Sequence, residues 1–161
     1  SFPQAVQRGT ITSVDHQHCT IEIDGLDDLA TADRIVLNSA GRGRSYRVEA
    51  VKNLGAQRYR LQLDVTTLLG RNQVLSVAGT FVEMDYHLMA RTGYLHGARL
   101  RRTDGTWAEI TEAHNPNNGR TTVRLAKELV GIEAGEWLEV VDCVAGDEVL
   151  FEPVTNIVQH Q

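Results

Sequence analysis

Apolar and polar residues alternate along most of the chain with the period of two that is typical of β-strands. In the first half, the alternating segments are separated by polar or glycine-containing breaks, which predict two hairpins with turns at 15–18 and 52–55. The predicted strands of this half are residues 10–14, 19–23, 34–37, 46–51 and 59–64.

The second half repeats this pattern, and its strands are separated by turn-forming residues such as Thr103-Asp104-Gly105. Its predicted strands are residues 98–101, 106–110, 121–125, 136–141 and 148–151. Helix is restricted to one or two turns, at Leu26 to Ala32 and Ala126 to Val130. The pattern therefore predicts an all-β protein, a sandwich or barrel of about ten to twelve mostly antiparallel strands.

A weak internal repeat relates residues 34–79 to residues 98–146, with an offset of 61 to 63 residues. A true repeat would give two similar β-units that share one core, but two unrelated β-meanders with glycine turns also align this well. In either case, we expect residues 1–161 to form a single β-rich domain. Because the sequence opens on Ser1 without a Met or a leader, we expect that domain to be excised from a larger protein.

Composition excludes several classes of protein. With 16 Lys and Arg against 21 Asp and Glu, the net charge is −5, and 42% of the residues are hydrophobic. These values argue against a disordered tail and against a nucleic-acid binder that works through bulk charge. No apolar run reaches the ~18 residues of a membrane helix. We therefore expect a soluble domain without nucleic-acid or membrane partners, in which Cys19 and Cys143 are either buried thiols or one disulfide.

One histidine cluster has partial metal-site character. On a strand, His16 and His18 would project to one face, with Glu22 on the same parity. A polar hairpin tip with two solvated histidines explains the same residues, and no second Cys/His cluster is present. We therefore expect neither a metal nor a cofactor.

A second cluster has the residue types of a lyase. Tyr86, His87, Arg91 and His96 lie close together in the sequence. Tyr and His can abstract and return a proton next to a carboxylate that Arg neutralises, which is the chemistry of a uronate lyase. The leucines and methionines of the same segment favour ordinary packing instead.

The two tryptophans are candidates for stacking on sugar rings, whose C–H faces are apolar. Trp107 shares its strand face with Glu109, opposite Ala108 and Ile110, so the sequence leaves open whether Trp107 is exposed or buried. Apolar residues lie on both faces around Trp137, which predicts a core position. Arg99 and Arg101 share one strand face and could grip carboxylates or sulfates by bidentate hydrogen bonds, although solvated sheet faces also carry Arg.

Three segments follow one another in the first half of the chain: Ser45-Tyr46-Arg47-Val48-Glu49-Ala50-Val51, the return strand at 60–64, and the loop Leu69-Gly70-Arg71. Together they resemble the C-terminal β domain of the heparinase II/III-like polysaccharide lyases. The chain also contains a Gly-Asp-hydrophobic strand at 146–149, and the resemblance covers about residues 34–152. It implies an accessory domain of a secreted or periplasmic bacterial polysaccharide-degrading protein, and it carries over no catalytic residue.

These observations favour a non-catalytic accessory β module that packs on the catalytic domain of its parent chain or contacts an acidic glycan. The expected contact residues are Trp107, Tyr46, Arg99 and Arg101. One alternative is a structural or adhesion domain without a ligand site, which predicts no aromatic platform. The other is a small lyase that uses Tyr86, His87, Arg91 and His96, which requires these side chains to converge.

Overall fold

In the residues that the structure describes, the chain forms twelve strands and no helix. The computed structural model describes residues 7–26, 29, 32–39, 42–85, 95–114 and 119–153. The strands are β1 (Gln7–Asp15), β2 (Thr20–Asp24), β3 (Ala32–Ser39), β4 (Arg42–Gly55), β5 (Arg58–Leu63), β6 (Leu68–Ala78), β7 (Phe81–Met84), β8 (Arg99–Arg101), β9 (Trp107–His114), β10 (Thr121–Leu125), β11 (Trp137–Val141) and β12 (Glu148–Pro153). The all-β prediction is confirmed.

The strands close into two six-stranded barrels. The first barrel has the order β1-β12-β3-β4-β5-β2, and the second has the order β10-β7-β6-β11-β8-β9. The paired strands run antiparallel, as in the ladders of β1 with β2 and of β8 with β9. The chain also divides into two compact units. It passes from the first unit to the second between Thr66 and Thr67, and it returns to the first between Cys143 and Val144. The expectation from the sequence that residues 1–161 form a single domain remains a prediction.

The boundary between the units does not coincide with the internal repeat. Residues 34–79, the first copy, run through the change of unit at Thr66/Thr67. The end of that copy, β6, pairs with β11 of the second copy inside one barrel. The two barrels are therefore not the two copies of the repeat.

Both expected hairpins of the first barrel are present. β1 pairs with β2, and β4 pairs with β5. The second turn lies later than predicted, because β4 continues through 52–55 and turns at Ala56 and Gln57, both with left-handed φ values of 53° and 63°. The Asn53 side chain supports this end of β4 by accepting a hydrogen bond from the Gly55 amide at 2.8 Å.

Alternation places the apolar side chains of each strand inside its barrel, because successive residues of a strand point to opposite faces. The largest fully buried side chains of the first barrel are Ile11, Ile21, Ile23, Ile35, Leu37, Leu61 and Leu63. The second barrel has its own core of Val74, Val82, Met84, Leu95, Ala98, Leu100, Ala108, Ile110, Val123, Leu125, Leu129, Ile132, Leu138 and Val140. Each barrel thus encloses a separate set of inward-facing residues.

The predicted helical turn at Ala126 to Val130 is wrong. The Ala126 amide donates to the Glu109 carbonyl at 2.8 Å and so extends the β9–β10 ladder. The loop beyond it is held by Leu129 and Ile132, which are buried in the core of the second barrel. Inter-strand pairing and burial therefore override the helix propensity of this segment. The other expected turn, Leu26 to Ala32, lies largely outside the described residues.

Candidate functional site

Trp107 lies on the outer surface of the second barrel. The inward positions of β9 that follow it are Ala108 and Ile110, and both are fully buried. Trp107 and Glu109 alternate with them and therefore point outward. The Trp107 side chain is 37% exposed. It lies directly opposite Arg101 in the β8–β9 ladder, on the same face.

The turn before Trp107 is fixed by its own side chains. The Asp104 carboxylate accepts hydrogen bonds from the Thr106 amide at 2.9 Å and from the Thr106 hydroxyl at 2.7 Å. These hydrogen bonds lower the pKa of Asp104 below its usual value. Gly105 occupies the left-handed position with a φ of 91°. The turn therefore sets the register that brings Trp107 opposite Arg101.

Arg99 packs against Trp107 from a buried position. Its Nη1 donates to the Asp142 carbonyl at 3.2 Å, and the residue is only 7% exposed. Its guanidinium carbon lies 5.3 Å from the centre of the Trp107 ring. Arg99 is therefore placed to orient Trp107, whereas the sequence analysis expected it to touch a ligand.

Arg101 has the more available charge. It is half-buried, lies between Trp107 and Glu139 in the ladders, and forms no ion pair with any described residue. Its neighbour Arg102, by contrast, is bound to Glu136 through two hydrogen bonds of 2.8 and 3.1 Å. Of the four contact residues expected from the sequence, Trp107 and Arg101 lie directly opposite each other.

Tyr46 does not belong to this surface. It alternates with Val48 in β4, and both point into the first barrel, where Tyr46 is 7% exposed. Arg47 and Glu49, on the other parity, are exposed. Placing Tyr46 on a contact face was therefore a wrong prediction, because the alternation of β4 directs this ring inward.

Trp137 was expected in the core and is 44% exposed. Leu138 and Val140 occupy the inward positions of β11 and are buried, so Trp137 and Glu139 face outward. The guanidinium carbon of Arg71, on the neighbouring strand β6, lies 5.2 Å from the centre of the Trp137 ring. Sequence reasoning missed both Trp137 and Arg71, although the order Trp-Leu-Glu-Val is itself an alternation of outward and inward positions.

These residues lie on four neighbouring strands of the second barrel, β9-β8-β11-β6. We call their outward side the tryptophan face. It is formed by Trp107, Arg99, Arg101, Glu139, Trp137 and Arg71. Cross-strand pairing puts Trp107, Arg101, Glu139 and Arg71 in one row across the four strands.

The second barrel also carries a cavity of about 410 Å³ beside β7, β9 and β10. Its lining consists of Phe81, His96, Glu112, Ala113, His114, Thr122 and Arg124. The lyase hypothesis needs His96 to meet Tyr86, His87 and Arg91, and these three lie outside the described residues. His96 itself is half-buried at the cavity wall.

His16 and His18 lie in the turn between β1 and β2 and not on a strand. The His18 ring nitrogen Nδ1 is 2.8 Å from the Asp15 carboxylate, and this hydrogen bond lowers the pKa of Asp15. Across the described residues, no three His, Cys, Asp or Glu side chains are grouped so as to hold a metal ion. The strand geometry that would join the two imidazoles on one face is therefore not formed.

Both cysteines are thiols, Cys19 half-buried and Cys143 buried. In the part of the chain that the structure covers, no helix has the length and apolar character needed to cross a membrane.

Comparison with known proteins gives no relatives. No protein-family model matches the chain, and searches of curated proteins and of solved structures also find no match.

Proposed function

We propose that this chain is a non-catalytic accessory β module of a larger, polysaccharide lyase-like protein, and that its tryptophan face contacts an acidic glycan. The observation that carries the proposal is the direct pairing of exposed Trp107 with Arg101. The parent protein would be secreted or periplasmic and bacterial, and its catalytic domain would be the module's partner within the chain.

The two residues offer what an acidic sugar needs. Trp107 is 37% exposed, and the open side of its ring provides a flat apolar surface on which the C–H face of a sugar ring can stack. Arg101 adjoins it with a guanidinium that no described carboxylate neutralises. A guanidinium binds a carboxylate or sulfate through two parallel hydrogen bonds, which a hydroxyl cannot match in strength.

The surface is also held in place before any ligand arrives. The Asp104 turn fixes the start of β9, and Arg99 stacks against the Trp107 ring from a buried position. A side chain that is already ordered loses less conformational entropy on binding. This support favours a binding surface over an accidental exposure of tryptophan.

The experiment is a binding screen of the purified chain against a glycan array that contains uronate polymers and sulfated polymers. Trp107→Ala and Arg101→Ala are compared with Phe81→Ala, which removes an aromatic residue that is 48% exposed on β7 of the same barrel, outside the tryptophan face. We expect binding to be lost in the first two variants and retained in the third. Binding should also weaken as salt is raised, because exposed charge pairs are screened.

An array on which the wild type binds no acidic glycan would overturn the proposal. That result would leave a structural or adhesion domain, whose tryptophan face packs against a neighbouring domain. Equal loss in all three variants would also overturn it, since the binding would then not depend on this face.

A further inference from the structure

The tryptophan face contains a second arrangement of the same kind, at Trp137 and Arg71. We infer that these two residues form a second sugar-stacking subsite, so that the face takes an internal stretch of an anionic polysaccharide and not a single terminal sugar. The inference rests on the proposed function and adds a subsite and a preferred ligand length to it.

Arg71 lies against Trp137 as Arg99 lies against Trp107, but Arg71 is exposed where Arg99 is buried. Arg71 lies opposite Glu139, so it is diagonal to Trp137 across the β6–β11 ladder. Arg99 lies opposite Glu109, so it is diagonal to Trp107 across the β8–β9 ladder. The guanidinium-to-ring distances are 5.2 Å and 5.3 Å. Diagonal positions of neighbouring strands are within reach of long side chains, so the register itself builds each pair.

Arg71 differs from other arginines of the second barrel because it has no carboxylate partner among the described residues. Arg102, Arg120 and Arg124 each have a carboxylate partner. Arg71 is exposed and forms no ion pair with a described residue, although Glu139 lies opposite it in the ladder. Arg71 and Arg101 therefore present two available cationic groups on one face, one beside each tryptophan.

The distance between the two tryptophans is longer than one sugar ring and suits an oligosaccharide. Trp107 and Trp137 are two strands apart and offset by two residues along the strand direction. With strands ~4.8 Å apart and a rise of ~3.3 Å per residue, their Cα atoms are roughly 12 Å apart. One sugar ring cannot stack on both tryptophans, whereas an oligosaccharide that lies across β8 can reach both. Glu139, between Arg101 and Arg71 in the row, can accept hydrogen bonds from sugar hydroxyls between the subsites.

The experiment measures affinity against chain length. The probes are galacturonate oligomers, from the monosaccharide to chains several times longer than the face, together with oligomers of whichever polymer binds best in the array. We expect the wild-type affinity to rise steeply once the oligomer reaches both tryptophans. In Trp137→Ala this rise should disappear, with roughly tenfold weaker binding of long oligomers and unchanged binding of short ones. Arg71→Ala should act in the same direction, and Phe81→Ala should behave as wild type.

A second readout does not depend on affinity. The chain has two tryptophans, so Trp107→Phe leaves Trp137 as the only indole fluorophore, and Trp137→Phe leaves Trp107. A long oligomer should protect both indoles from a collisional quencher, whereas the shortest oligomer that binds should protect only Trp107. A ligand that protects Trp107 at every length and never Trp137 would overturn the second subsite while keeping the proposed function. Protection of neither indole would overturn both.

Discussion

The guanidinium of Arg99 stacks 5.3 Å from the centre of the Trp107 ring while its Nη1 hydrogen-bonds the Asp142 carbonyl at 3.2 Å. An outward-facing arginine is thus only 7% exposed. It joins the segment after β11 to the strand that carries Trp107, and it contributes to stability as well as to the orientation of the indole.

Arg99→Ala should lower the free energy of unfolding by about 1–3 kcal/mol, because it removes a cation–π contact and the hydrogen bond to the buried Asp142 carbonyl. Arg101→Ala, on the same strand and face, should change it by less than about 0.5 kcal/mol. Urea denaturation of both variants measures the difference. Equal effects of the two substitutions would contradict the supporting role of Arg99.

The two neighbours in β11 should respond to truncation to different degrees. Leu138 is 1% exposed and lies in the core, so Leu138→Ala should cost about 2–5 kcal/mol. Trp137 is 44% exposed, so Trp137→Ala should lower the free energy of unfolding by about 1 kcal/mol or less. Thermal and urea unfolding give both values. A Trp137→Ala variant as unstable as Leu138→Ala would place that indole in the core.

Asn72 is a polar residue on the inward side of β6. It is 0% exposed, and neither its Nδ2 nor its Oδ1 has a hydrogen-bond partner among the described residues. A buried amide without partners costs about 1–3 kcal/mol, so Asn72→Leu, which is similar in size, should raise the free energy of unfolding by about that amount. Val74→Asn, two residues along the same face, is the reverse control and should destabilise. A loss of stability in Asn72→Leu would contradict the unsatisfied state of this amide.

The turn before Trp107 should weaken in acid. Because hydrogen bonds from Thr106 lower the pKa of Asp104 in the folded state, ionised Asp104 stabilises the fold above its usual pKa of about 4. That contribution is lost as the pH falls through the lower, folded-state pKa. Asp104→Asn keeps the side-chain acceptor without the charge, so the stability gap between wild type and variant should close in acid. An NMR titration in which Asp104 titrates at or above its usual pKa would contradict this.

Much of the secondary structure could be predicted from alternation alone, since a strand with one buried face carries its pattern in the sequence. The hairpin of β1 and β2 follows from it directly. The turn at Ala56 and Gln57 could not be predicted, because neither residue type signals a left-handed conformation. Closure into two barrels also could not be predicted, because the pairing of β6 with β11 joins segments far apart in the sequence.

The candidate site was predictable in part. Trp107 and Arg101 share a face, as the sequence analysis expected. The errors at Tyr46 and Trp137 have different causes. Tyr46 was judged by its residue type and not by the parity of its strand neighbours, whereas Trp137 was placed in the core because apolar residues lie on both faces around it. The buried position of Arg99 depends on Asp142, which lies 43 residues away along the chain, so no local pattern contains it.

The most direct measurement is a titration of the chain with the uronate or sulfated polymer that binds best, followed through the fluorescence of Trp107 in the Trp137→Phe variant. We predict saturable protection of Trp107 from quencher that disappears in Arg101→Ala and persists in Phe81→Ala. If Trp107 stays equally accessible to quencher at saturating polymer, the tryptophan face is not a glycan-binding surface.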